Sequence, residues 1–146
     1  MRQEWENDAE ETDHGGFGED GRRRPIVDYR DLDVWKTAMD SAADIYGLTA
    51  AFPSDERFGL ISQLRRASVS IPANIAEGYG RDSTGSYVQF LRIAQGSARG
   101  AETLIELSVR LGYLTLTDRA TIGDKVERII MMLGRLIKAI ERRPKR

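Results

Sequence analysis

Between Leu32 and Ile140 apolar residues return every three or four positions in four separate runs, and no stretch alternates with period two. A stripe of that spacing lies on one side of an α-helix and must be covered by another element, so the pattern predicts helices packed on helices. The first run is Leu32, Trp35, Met39, Ala42, Tyr46 and Thr49. It predicts a helix from about Leu32 to Ala51, with Asp31 and Asp33 suited to its positive end and Phe52-Pro53 stopping it. The second carries Leu60, Ile61, Leu64, Ile71 and Ile75, starts near Asp55 under a Ser54 cap, and stops at Gly78 and Gly80. The third, capped by Ser83 or Thr84, runs through Tyr87, Phe90, Leu91, Ala94, Ala98, Ala101, Ile105 and Val109 to Gly112. The fourth opens at Thr117 with Asp118, continues through Ile122, Val126, Ile129, Leu133, Ile137 and Ile140, and ends at Pro144. Short connections set consecutive helices antiparallel, giving an all-α, up-down-up-down four-helix bundle over residues 28–143. Residues 1–27 are polar and glycine-spaced and read as a disordered acidic arm, and 144–146 form a basic tail.

Pro72 falls inside the second run, where the missing N–H and the ring clash cost about 3 kcal/mol in a helix interior. Either the helix bends there, or it breaks and Ser70 caps a new segment. The Leu64–Ile71–Ile75 stripe stays in phase across the proline, which favours the bend, with Ser68 or Ser70 serving the freed backbone groups. On a wheel of about 100° per residue the same helix shows a second, polar stripe of Gln63, Arg66, Ser70, Asn74, Glu77 and Arg81. That stripe suits either solvent or contact with a sister chain, and Gln63, Arg66, Ser70, Asn74 and Glu77 are the expected subunit interface. Gly96 and Gly100 lie four apart in the third helix, a spacing that lets another backbone come close.

The chemistry classes excluded are many. There is no cysteine, which removes disulfides and thiolate metal sites and suits the cytoplasm. The lone histidine, His14, lies in the arm, so the bundle holds no histidine metal site and no Ser-His pair. No phosphate loop and no recognisable acid pair is present, and Glu77 with Asn74 would be the lone catalytic candidates. We therefore expect no enzyme, no cofactor and no metal. No apolar run is long enough to span a membrane, and the start lacks a signal-peptide pattern. The net charge of −1 hides an asymmetry. Residues 1–21 hold eight acidic residues and Arg2, a balance of −7, whereas 22–146 hold 21 Lys/Arg and 15 Asp/Glu, a balance of +6. A basic body attracts polyanions. The expected phosphate contacts are Arg65, Arg66, Arg81, Arg92, Arg99, Arg110, Arg119, Lys125, Arg128, Arg135, Lys138, Arg142 and Arg143. No aromatic platform interleaves with them, so backbone contact rather than base reading is expected.

Several runs resemble a known family: Leu32-Asp33-Val34-Trp35, Phe52-Pro53, Glu56-Arg57-Phe58-Gly59-Leu60, Gln63-Leu64-Arg65-Arg66-Ala67, Ser70-Ile71-Pro72-Ala73-Asn74-Ile75-Ala76-Glu77-Gly78, and Phe90-Leu91-Arg92-Ile93-Ala94-Gln95-Gly96-Ser97 with Glu102-Thr103. Over residues 28–142 the chain resembles the four-helix-bundle proteins of bacterial 23S rRNA intervening sequences, and the related accessory variability protein (Avd) of diversity-generating retroelements. It departs from their pattern at Gly100 and Ala101, where relatives carry glutamate and leucine. The resemblance implies a left-handed bundle assembled as a homopentamer around a central opening, without catalytic activity. For the Avd branch it implies RNA or DNA bound on a basic surface and a reverse transcriptase partner. The expected function is a non-enzymatic oligomeric adaptor on nucleic acid, the alternative a structural or protein-interaction oligomer that binds none.

Overall fold

The computed structural model describes residues 20, 22 and 25–142. Among them are four α-helices: α1 (Asp33–Thr49), α2 (Leu60–Tyr79), α3 (Thr84–Arg110) and α4 (Leu116–Arg142), with 3-10 turns at Tyr29–Asp31 and Ser54–Glu56. No described residue is in a strand. The main contacts run α1 to α2, α2 to α3, α3 to α4 and α4 back to α1, so the helices close a ring around one core. The start of α1, end of α2, start of α3 and end of α4 share one end of the bundle. Gly78 abuts Tyr87 and Phe90 there, and Arg92 reaches Glu141.

The core is built from Leu64, Ile71, Ile75, Leu91, Ala94, Ala98, Val126, Ile129 and Leu133, each at most 1% exposed. On α2, α3 and α4 these are the predicted stripes. Of the first expected stripe Leu32, Ala42 and Thr49 are buried, and the rest of the buried face of α1 lies one position earlier than Trp35, Met39 and Tyr46. Val34, Ala38, Ser41, Ala42, Ile45 and Thr49 face the core, while Met39 and Tyr46 are 45% and 46% exposed. Both stripes have helical spacing, and the core takes Ala38, Ser41 and Ile45 in place of the bulkier Met39 and Tyr46. The small residues Ala38, Ser41 and Ala42 form the buried contact, and Trp35 packs at its edge against Tyr29.

Three boundaries differ from the expected ones. α2 starts at Leu60, not Asp55, because Ser54–Glu56 winds as a separate 3-10 turn. Glu56, rather than Ser54, covers the helix start: its carboxylate accepts from the Leu60 N–H at 2.9 Å. α4 is opened by Thr115 and not Thr117. The Asp118 N–H donates to Thr115 Oγ1 and the Thr115 N–H to Asp118 Oδ2, both 3.0 Å, a reciprocal cap. Gly78 terminates nothing. It is buried inside α2, which runs on to Tyr79. The cap at Ser83 is as expected, accepting from the Ser86 N–H at 3.1 Å, and Gly112 supplies a left-handed φ of 79° after α3.

α2 is unbroken through Pro72, as the bent arrangement requires and the broken one forbids. The hydroxyls nearby do not turn to the carbonyl the proline leaves open. Ser68 Oγ donates to the Arg65 carbonyl at 3.0 Å, and Asn74 Nδ2 donates to the Ser70 carbonyl at 2.7 Å. Ile26 is only 2% exposed, so the chain is already anchored in the core before the Tyr29–Asp31 turn.

Candidate nucleic-acid interface

Eleven of the thirteen expected phosphate contacts separate into three groups once their neighbours are known. The first is tied down by carboxylates. Arg81 pairs with Glu77 at 2.9 Å, Arg92 with Glu141 at 2.7 Å, Arg99 with Glu102 at 3.0 Å and Glu127 at 3.6 Å, Arg119 with Glu106 at 3.5 Å, and Lys125 with Asp44. Most of these pairs join two helices and offset their own charge. The second group is Arg65 alone, a clamp between α1 and α2. Its Nε donates to Thr49 Oγ1 at 2.9 Å, its terminal nitrogen donates to the Tyr46 carbonyl at 3.3 Å, and its guanidinium lies 4.5 Å from the Tyr46 ring centre. The third group has no carboxylate partner among the described residues: Arg66, Arg110, Arg128, Lys138 and Arg142, the last donating only to the Lys138 carbonyl at 3.2 Å. Arg135 is half-buried with a partner of its own, and Arg143 lies outside the described residues.

Most of the third group falls on one surface. At 100° per residue Arg128, Arg135, Lys138 and Arg142 occupy an arc of about 80° on α4, away from its core face. Met131 lies in the same arc and is 50% exposed. Asp124, a turn before Arg128, is the acid at its edge. The charge count agrees. Residues 128–146 hold seven Lys/Arg and one acid, Glu141, a balance of +6, while residues 22–127 hold fourteen of each sign. The whole positive excess of the body therefore lies in the last nineteen residues.

The polar stripe on α2 turns partly inward. Ser70 Oγ and Ser97 Oγ are 2.8 Å apart across α2 and α3, and Asn74 Nδ2 donates to Ser70 Oγ at 3.0 Å. Ser70 and Asn74 thus have partners inside the chain, as does Glu77, whose partner Arg81 also covers the Phe90 ring at 4.7 Å. Gln63 and Arg66 are exposed. Beside this stripe the outer face of α3 is apolar. Ile93, Leu107 and Leu111 are 46%, 43% and 50% exposed. Gly96 and Gly100 lie between them, and a Cβ on either would meet nothing within 4 Å. No neighbouring helix of the same chain needs those glycines.

An open groove of about 420 Å³ between α1 and α4 is lined by Ala43, Asp44, Gly47, Leu48, Asp118, Thr121 and Ile122. No group of three or more metal-ligating side chains occurs among the described residues, and no described helix is long and apolar enough to cross a membrane.

Together these features define a class: an all-α bundle with one basic flank and one apolar flank, and with several of its other basic residues paired to carboxylates within the fold. The family model for 23S rRNA-intervening sequence proteins matches residues 30–135. The chain belongs to that family. It is also similar to a crystal structure at 1.70 Å of a protein of unknown function from the S23 ribosomal protein family, from Bacteroides thetaiotaomicron VPI-5482. That likeness has a TM-score of 0.68 and 27% identity, and covers 72% of this chain and 95% of the other. No curated protein matches the chain.

Proposed function

We propose that this protein is a non-enzymatic homo-oligomeric adaptor that holds nucleic-acid backbone on the outer face of α4. The observation that carries the reading is the exposed arc of Arg128, Lys138 and Arg142, none of which is ion-paired to a carboxylate among the described residues and which sits in the segment where the net positive charge is gathered. Each phosphate neutralised by such a side chain releases counterions and contributes about 0.9 to the slope of log affinity against log salt. Charge-neutral Arg128→Gln, Lys138→Gln and Arg142→Gln together are expected to weaken RNA or DNA binding uniformly across sequences and reduce that slope by about 3. Gln exchanges at the paired Arg119 and Lys125 provide the control and change it little. A triple variant that keeps its parent's affinity and slope sinks the reading.

Assembly rests on a different surface. Two helix glycines, Gly96 exposed and Gly100 half-buried, each cost up to about 1 kcal/mol relative to alanine, and no described residue uses the space they leave. With Ile93, Leu107 and Leu111 they suit the close approach of a second copy, bordered by Gln63, Arg66 and Glu77. A homopentamer is the assembly we propose from the family resemblance, and a reverse transcriptase is the protein partner that the resemblance to the Avd branch adds. A second reading, an oligomer that binds protein only, draws on the five basic residues already neutralised by carboxylates.

A further inference from the structure

The chain's entry into the bundle and the end of α4 lie at one end of the molecule, and in sequence each adjoins a segment of opposite charge. The chain enters the bundle at Pro25–Val27, with Ile26 buried, and the following turn is fixed by the Asp31 carboxylate, which accepts from the Val27 and Asp28 N–H groups at 2.9 and 3.0 Å. α1 starts there, and α4 finishes at the same end, as the Arg92–Glu141 bridge to the start of α3 shows. Residues 1–21, net −7, therefore precede an anchor at the same end of the bundle as the finish of α4, the helix whose last part opens the +6 segment 128–146. The stretch between, 22–127, is neutral. Length is no obstacle. Twenty-one residues reach up to about 70 Å when extended, and Arg128 to Arg142 spans about 21 Å of helix. Tethering also supplies an effective concentration on the order of millimolar for a short linker.

We infer that the acidic arm is the resident occupant of the basic face of α4: an internal polyanion that covers Arg128, Lys138 and Arg142 and must be displaced before another polyanion binds. The displacement half rests on the nucleic-acid reading above, while the docking half stands by itself. Arm and backbone contend for the same cations, so the arm sets a threshold. Long polyanions, which engage several copies of an oligomer at once, pass it more readily than short ones. Salt weakens both contacts together, because both are exposed ion pairs.

The sequence makes the test clean, since the chain has four lysines: Lys36, Lys125, Lys138 and Lys145. A carbodiimide joins carboxylates to amines at contact distance. On the full chain, mass spectrometry is expected to find cross-links from Glu4, Glu6, Asp8, Glu10, Glu11 or Asp13 to Lys138 and Lys145, not to Lys36 or Lys125, and to find them lost near 1 M salt, where screening falls to about 3 Å. Absence of a Lys138 cross-link, or equal yield at Lys36 and Lys125, overturns the inference. The second measurement is RNA affinity of the full chain carrying Glu4→Gln, Glu6→Gln, Glu10→Gln and Glu11→Gln. Affinity at about 50 mM salt is expected to rise tenfold or more over the parent, since four charges leave the competing arm. A Lys138 cross-link with unchanged RNA affinity overturns the displacement. A Lys138 cross-link with no RNA binding by either protein upholds the docking and overturns the nucleic-acid reading instead.

Discussion

At the residue scale, charge alone does not tell a basic side chain's task; its neighbours do. Arg65 is spent on the α1–α2 seam, where a planar guanidinium bonds a hydroxyl, reaches a carbonyl and covers a ring at once. Arg65→Ala is expected to lower unfolding free energy by about 1–2 kcal/mol, and Arg65→Lys to restore little of it, because an ammonium lacks the fork. Urea titration that finds lysine as good as arginine would contradict this. Glu102 shows the converse case. Burial raises its carboxyl above the usual glutamate range and the neighbouring Glu127 adds to the rise, while Arg99 opposes it. At pH values between the ordinary glutamate range and the raised value, the folded chain holds a proton that the unfolded chain has released. Stability present below the ordinary glutamate range is lost as pH climbs through the raised value. Glu102→Gln cannot titrate, so its urea stability should fall less than the parent's between about pH 4 and about pH 7. Identical pH profiles for the two proteins would remove the role given to burial.

At the element scale, the seams decide which local signals matter. Gly78 reads as a stop signal in the sequence, yet in the fold it is the point where α2 meets α3. A Cβ there would stand 2.7 Å from Phe90 Cβ and 3.1 Å from the Tyr87 ring. Gly78→Ala is therefore expected to destabilise by about 1–3 kcal/mol through overpacking, although alanine is the better helix former. A variant more stable than its parent in thermal or urea unfolding would mean the seam opens freely. Pro72 makes a related point. Its register was legible from the Leu64–Ile71–Ile75 stripe, because a break would have thrown Ile71 and Ile75 out of phase with Leu64.

At the scale of the whole molecule, the bundle presents two unlike flanks, one apolar on α3 and one basic on α4. If the apolar flank receives a second copy, side chains at Gly96 and Gly100 obstruct it. The Gly96→Ala, Gly100→Ala protein should show a smaller mass in light scattering and native mass spectrometry, despite its better helix propensity. An unchanged mass with raised thermal stability would remove α3 from the interface and leave the glycines without a use.

The helical period in the sequence was enough to determine four helices, most of their buried faces and their antiparallel order, because burying a stripe of that spacing leaves few packings open. Residue order could not choose between the two equally spaced stripes of the first helix. That choice depends on how closely a neighbouring rod approaches, which Ala38, Ser41 and Ala42 permit and Met39 and Tyr46 would prevent. Nor could it sort thirteen basic residues into clamps, bridges and free charges, since each bridging partner is brought near only by folding. Arg92 and Glu141 stand 49 positions apart in the chain and 2.7 Å apart in space.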